Sequence, residues 1–400
     1  MWNPKATERG NSRSVIRELF AYGQELRRTA GEDAVADLSL GNPATPPPAS
    51  VTEAFRTLLT TADPLTLHGY TAAEGDPEAR ASIAAALSRR FHTTVGAEHL
   101  FLTAGAAPAL TAALFALTEA AGDEFIALAP YFPEYGVFAT VAGGVLRVCP
   151  CDPVTLLPDL DALSALIGER TRAVIVNSPN NPSGLVYDRE MLTRIADCLT
   201  SRSREVGHTV YLLSDEPYRE LVYAGREVPY IPAIYPETVI CYSYSKSLSL
   251  PGDRIGYVLV PPTCREAAGL LRTVAGAART LGHVCAPALM QRVVGLVPDA
   301  APDLAFYDRN RQALMQGLAD LGYTFVVPEG AFYLLLRVPD GNAPAFSETA
   351  KQEGLLVVPC DGFALPGYVR LAYCVAPPVI DRALQQFSNI ASKIRNSSEV

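Results

Sequence analysis

The 400-residue sequence predicts an α/β protein with two parts. One is a large domain with a mostly parallel, seven-stranded sheet flanked by helices; the other is a smaller α+β lobe. Three observations predict it. Between about residues 50 and 290, short apolar runs alternate with helical patterns: HLFLTA, EFIALAP, VLRVCP, RAVIVNSP, TVYLLSDEP, TVICYSYSK and GYVLVPP. The C-terminal part has another texture, a long helical pattern followed by strand-like FYLLLRV, LLVVPC and YVRLAYC and a closing helix. Polar residues, finally, collect just beyond the ends of the apolar runs, where open α/β sheets bind ligands.

In chain order, SVIRELFAYGQELRR (14–28) places Ile16, Leu19, Phe20 and Gly23 on one face of a helix. SLGNPATPPPAS (39–50) then breaks regular structure with its four prolines and reads as an extended crossing segment. LFLTAGAAPALTAALFALT (100–118) is the longest uncharged run, yet Gly105 and Pro108 divide it into strand, turn and helix rather than a membrane span. The expected division is an N-terminal helix and crossing segment (1–49), a large domain (50–290) and a small domain (291–400), with the first segment packed on the last.

Composition narrows the function. A net charge of −9, a pI near 5.2 and no basic cluster argue against a nucleic-acid partner. The start, MWNPKATERGNSRSVIREL, lacks the apolar stretch of a signal peptide. Eight cysteines form no CxxC pair, and five histidines show no metal-ligand spacing; the expectation is reduced thiols, a cytoplasmic protein, no metal and no membrane.

Three apolar runs end in chemistry. RAVIVNSP enters NNPSG, TVYLLS enters DEPY and TVICY enters SYSK, so three strand ends present Asn181, Asp215, Tyr218 and Lys246. Burial penalises an ammonium, so Lys246 at the tip of a core strand is either past the surface or an amine kept uncharged and reactive. Ser243 and Arg254 flank it in YSYSKSLSLPGDRIGY.

Together NSPNNPSG, DEPY and SYSK…R resemble the class I/II aminotransferases, enzymes of fold type I that use pyridoxal 5′-phosphate (PLP). The resemblance runs from SLGNP at residue 39 to VRLAYC at 369–374. It implies that Lys246 carries the cofactor as a Schiff base and that Asp215 pairs with the pyridine nitrogen. Asn181 and Tyr218 match the donors to the ring oxygen, and Phe132, with Tyr131 as the fallback, matches the aromatic stacked on the ring. Gly105, Ala106 and Ala107 match the turn whose amides hold the phosphate at a helix N-terminus, with Ser243 and Arg254 as side-chain contacts. Relatives often carry Ser or Thr where Ala107 stands, so one hydroxyl is missing from the expected cradle. Tyr70, in HGYTAAEGDPEAR, matches the tyrosine that a partner subunit lends to this phosphate, which implies a homodimer. Arg370 matches the arginine that grips the substrate's carboxylate, with Gly41 in the loop above it and Asn181 as a third contact.

Some readings stay open. Arg279 fits a second carboxylate site or a solvated arginine, while Tyr22, Tyr135, Phe332 and Tyr333 fit the pocket wall or the core. The implied reaction moves an amino group between an L-amino acid and a 2-oxo acid. The alternative on the same scaffold is β/γ-elimination or γ-replacement, which none of these residues separates from transamination. A regulator with such a domain would need a basic DNA-binding extension, for which residues 1–38 leave no room.

Overall fold

The computed structural model describes residues 2–11 and 15–398. β1 (Ala36–Asp37) lies near the N-terminus, and β2 (Leu100–Thr103), β3 (Glu124–Leu128), β4 (Val145–Cys149), β5 (Thr171–Asn177), β6 (Tyr211–Asp215), β7 (Thr238–Ser243) and β8 (Gly256–Leu259) form one sheet. Its order is β2-β8-β7-β6-β5-β3-β4. All neighbours are parallel except β8, which runs antiparallel to β2 and β7. The seven apolar runs are these seven strands. β5, β6 and β7 are buried along almost their whole length because helices cover both faces, which is why they read as continuous rather than alternating apolar runs.

The two faces have separate cores. Helix Ala106–Leu117 packs with Ala267–Thr280 over Phe101, Ile175, Leu213, Val239 and Val258. On another stretch, helices Pro77–Phe91 and Ala288–Leu296 cover Ile240, Tyr242, Tyr257 and Leu259. Asp76 starts the first of these by accepting from the amides of Glu78 and Ala79, satisfying donors that a helix start leaves open. The run at 100–118 divides as its sequence predicts, into β2 and helix Ala106–Leu117. Among the described residues, no helix is long and apolar enough to cross a membrane.

β9 (Thr324–Val326), β10 (Tyr333–Arg337), β12 (Val358–Pro359) and β13 (Tyr368–Ala372) form a second, antiparallel sheet, ordered β12-β13-β10-β9. β11 (Leu355–Leu356) pairs with β1 in parallel, so the chain start is tied to this part. Helix Val15–Ala30 adds Leu19 to a core containing Leu356, Val358 and Phe363. A short helix, Pro4–Asn11, precedes it with no apolar face to announce it.

Candidate active site

β5, β6 and β7 are neighbours, and their carboxyl ends open on one edge of the sheet. Because β8 is antiparallel, its starting end, just after Arg254, meets the same edge. So does the end of β2, which leads into Gly105. Five chain crossings thereby bring Asn181, Asp215, Tyr218, Ser243, Lys246, Arg254, Ala106 and Ala107 around one cavity of about 390 Å³. Gly41, Phe132 and Arg370 line it as well.

Asp215, the last residue of β6, is buried. Its Oδ2 accepts from the Tyr135 hydroxyl at 2.5 Å and from Asn177 Nδ2 at 3.4 Å. Its Oδ1 is buried without a partner. Desolvation pushes the carboxyl up to about 7, opposed by the Tyr135 hydrogen bond and reinforced by the neighbouring Glu216. An orphan acceptor of this kind calls for a cationic N–H donor.

Lys246 sits in a four-residue helix, Tyr244–Ser247, that follows β7 and is capped by the Ser243 hydroxyl. Its Nζ donates to the Gly41 carbonyl at 2.5 Å and lies 5.6 Å from the centre of the Phe332 ring. Burial brings its amine down to about 8, the arginines 254 and 370 acting in the same direction. The amine is therefore freed at a lower pH than an ordinary lysine's. Tyr218 is buried, its hydroxyl 3.0 Å from that of Tyr333, and desolvation lifts its phenol well above the usual range.

Arg370, on β13, reaches the cavity from the second sheet. It donates to Asn181 Oδ1 at 3.0 Å and to the Ser39 carbonyl at 2.5 Å, and its guanidinium lies 4.5 Å from the centre of the Tyr333 ring. Nε has no partner, although Arg370 is buried. A planar donor group fixed in this way is ready for a carboxylate.

At the opposite end, Gly105 has φ +94 and precedes helix Ala106–Leu117. A Cβ there would stand 2.5 Å from Arg254 Nη2. Arg254 also donates to the Pro251 carbonyl at 2.8 Å and to Ser245 Oγ at 3.3 Å, and Ser245 Oγ lies 2.7 Å from Ser243 Oγ. Amides at a helix start, two hydroxyls and a guanidinium form a cradle for a phosphate-sized anion.

Phe132 lines the cavity and Tyr131 does not. Of the residues left open, Tyr135 and Tyr333 belong to the site through their hydroxyl contacts, and Phe332 lies beneath Lys246. Tyr22 and Arg279 lie away from the cavity, and Arg279 is exposed. Tyr70 is 92% exposed and makes no wall of its own chain's cavity. The sequence does not single out Asn177 and Ser245; Asn177 ends β5 as the register partner of Asp215, and Ser245 precedes Lys246 in the short helix.

A half-buried lysine with a lowered pKa, an orphan carboxylate oxygen and an anion cradle at the strand ends of a parallel sheet fit a PLP enzyme of fold type I. The sequence matches the family "Aminotransferase class I and II" over residues 33–387, and the chain belongs to that family. With the family come its PLP cofactor and its reaction, transfer of an amino group between an amino acid and a 2-oxo acid, rather than elimination or replacement. A probable aspartate/prephenate aminotransferase of Thermus aquaticus is 32% identical over 393 residues, 96% of each chain. A solved amino transferase from Eubacterium rectale superposes with TM-score 0.96 at 45% identity, covering 98% of this chain and 99% of that one. The aspartate aminotransferase of Thermus thermophilus solved with maleate gives TM-score 0.86 at 28% identity, over 98% of this chain and 100% of that one.

Proposed function

We propose that Lys246, Asp215 and Tyr218 are the catalytic residues of this aminotransferase, and that Arg370 and Asn181 hold the substrate's α-carboxylate under the loop at Gly41. The observation that carries the assignment is the pairing, in one cavity, of an amine lowered to about 8 with a buried carboxylate oxygen that lacks a donor. PLP fits the donor set. Lys246 would bind its aldehyde, Asp215 its ring nitrogen, and Asn181 and Tyr218 its ring oxygen. Phe132 would cover the ring, and Gly105–Ala107, Ser243 and Arg254 would hold the phosphate. When bound, PLP supplies an electron sink that makes the substrate's α-proton acidic. Arg370 fixes the carboxylate end of the substrate, which sets the direction of the bond to be broken. Lys246 Nζ, once free, would serve as the general base for that proton and as the general acid that gives it back.

The working unit we infer is a homodimer in the cytoplasm, divided near residues 49 and 290. Tyr70, Leu65 and Val284, all strongly exposed apolar residues, support a covered face, and eight unpaired thiols suit a reducing compartment. The names of the Thermus relatives make aspartate the first amino donor to try. The test incubates the yellow holoenzyme with aspartate and other amino acids, without any 2-oxo acid. Conversion of the bound cofactor to pyridoxamine phosphate, reversed by a 2-oxo acid, is expected; stoichiometric ammonia without that interconversion would contradict the reading.

A further inference from the structure

The far face of the sheet, behind the site, carries a buried ion network that the reaction as described does not use. Arg219 follows Tyr218, and its guanidinium is buried. Nη1 donates to Glu216 Oε2 at 3.1 Å, Nε to Glu220 Oε1 at 3.0 Å and Nη2 to the Tyr257 hydroxyl at 3.1 Å. The same guanidinium lies 4.2 Å from the centre of the Tyr242 ring. Tyr242 donates to Glu220 Oε2 at 3.0 Å, and its hydroxyl stands 2.8 Å from Ser247 Oγ. Since the phenolic proton goes to Glu220, Ser247 is the donor in that pair. Glu216 in turn accepts from Ser214 Oγ at 2.7 Å.

The attachments of this network are what matter. Ser214 and Glu216 flank Asp215, Arg219 adjoins Tyr218, and Ser247 adjoins Lys246. Residues on opposite faces of the strands are joined on one side by the network and on the other by the active-site cavity. Tyr242 and Tyr257 are register partners on β7 and β8 and stack at 4.8 Å, so Arg219 reaches both strands. A buried ion array is a poor stabiliser, since desolvation offsets most of its attraction and a well-packed apolar cluster does as well. What it supplies is fixed geometry. A lysine would keep the charge but not the three-way fork.

We propose that Arg219 is a positioning residue for catalysis, holding the turn that bears Asp215 and Tyr218 in a set relation to the helix that bears Lys246. This rests on the assignment of those three residues to the reaction. Arg219 is no part of the active-site cavity's wall; it acts through Glu216 on one side and through Glu220, Tyr242 and Ser247 on the other.

The test compares Arg219→Lys and Tyr242→Phe with the parent holoenzyme and with Arg89→Ala, which removes only an exposed ion pair to Asp299 at the rim of the cavity on this face. Three quantities are read: kcat per bound cofactor, KM, and the pH midpoint of the bound cofactor's absorbance. Arg219→Lys is expected to lower kcat per bound cofactor on the order of ten- to a hundredfold, with KM nearly unchanged, because a misplacement under an ångström is enough. The absorbance midpoint should move, and Tyr242→Phe should show both effects in smaller measure, while Arg89→Ala shows neither. A lower melting temperature with unchanged kcat per bound cofactor and unchanged midpoint would overturn the proposal. If Arg219→Lys does not fold, Tyr242→Phe decides, and an unmoved midpoint and kcat there overturn it too. Lys246→Ala runs in parallel: if it still shows the lysine-bound cofactor's absorbance, the assignment of the site has failed rather than the role of Arg219.

Discussion

Tyr135 donates its hydroxyl proton to Oδ2 of Asp215 at 2.5 Å, while Oδ1 of the same carboxylate is buried without a partner. One oxygen is thus held by the protein and the other is left for a ligand. The tyrosine lowers the carboxyl against a desolvation that otherwise raises it, leaving it at about 7. Removing that hydrogen bond in Tyr135→Phe raises it further, so less of the anion exists at neutral pH. The expected result is roughly tenfold weaker PLP binding at pH 7.5, since a hydrogen bond to a charged group is worth about 1.5–3 kcal/mol. The acid limb of binding should also move to higher pH. Fluorescence titration of the apo-protein against pH measures both, and an unmoved limb would show that Tyr135 does not tune Asp215.

Lys246 gives a pH dependence of the same sign, from a group whose pKa is shifted the other way. Its amine, brought down to about 8, is the reactive form above that value and ammonium below it. The rate at which apo-protein takes up PLP should therefore fall about tenfold for each pH unit below 8. Above 8 it should level off, whereas an ordinary lysine would keep gaining to beyond pH 10. Stopped-flow absorbance on apo-protein decides between the two profiles.

Arg370 is fixed by Asn181 and Ser39 before any substrate arrives, so its loss removes an organised binding group rather than a loose charge. Arg370→Ala should lower kcat/KM for amino acids by about 30- to 1000-fold, the equivalent of about 2–4 kcal/mol. PLP content should stay near one per chain. A variant that handles amino acids normally yet loses PLP would reverse the assignment.

Gly105 is required twice, by its φ of +94 and by the 2.5 Å that would separate a Cβ from Arg254 Nη2. Gly105→Ala adds strain of about 1–3 kcal/mol and displaces the guanidinium from the turn. We expect PLP affinity to fall on the order of tenfold or more, with far-UV circular dichroism unchanged. Binding of pyridoxal, which lacks the phosphate, should be much less affected; equal losses for both ligands would place the phosphate elsewhere.

The parts of the site legible in the sequence are those that local pattern marks. β5, β6 and β7 are fully covered, so they read as unbroken apolar runs, and a polar residue at the end of such a run has to be explained. Asp215 and Lys246 stand out for this reason. The residues that position them do not. Tyr135 meets Asp215 across 80 residues of chain, and Arg370 meets Asn181 across 189, so only the fold brings them together. Phe132 and Tyr131 are adjacent and chemically alike; which one faces the cavity depends on the backbone direction before helix Glu134–Val141. Arg279 is open in the sequence between a second carboxylate contact and a solvated arginine; the fold leaves it exposed in the last turn of helix Ala267–Thr280, away from the cavity.

Tyr70 is the expectation that one chain by itself leaves incomplete. Tyr70 is 92% exposed, and Leu65, five residues earlier, is 84% exposed. If it crosses to a neighbour's phosphate cradle, two defective chains should complement each other. Lys246→Ala is inactive because the cofactor has no amine to join, and Tyr70→Phe needs more PLP because one phosphate donor is missing. In a twofold dimer of these two chains, crossing tyrosines give one site with intact Lys246 and intact Tyr70 and a second site with both defects. Normal affinity for PLP should thus return in half the sites. If each Tyr70 serves its own chain, the only site with Lys246 keeps the Tyr70→Phe defect. Heterodimers purified through two different tags and assayed at limiting PLP separate the outcomes. Activity at half the parental level supports the crossing, and the weak PLP binding of Tyr70→Phe alone refutes it.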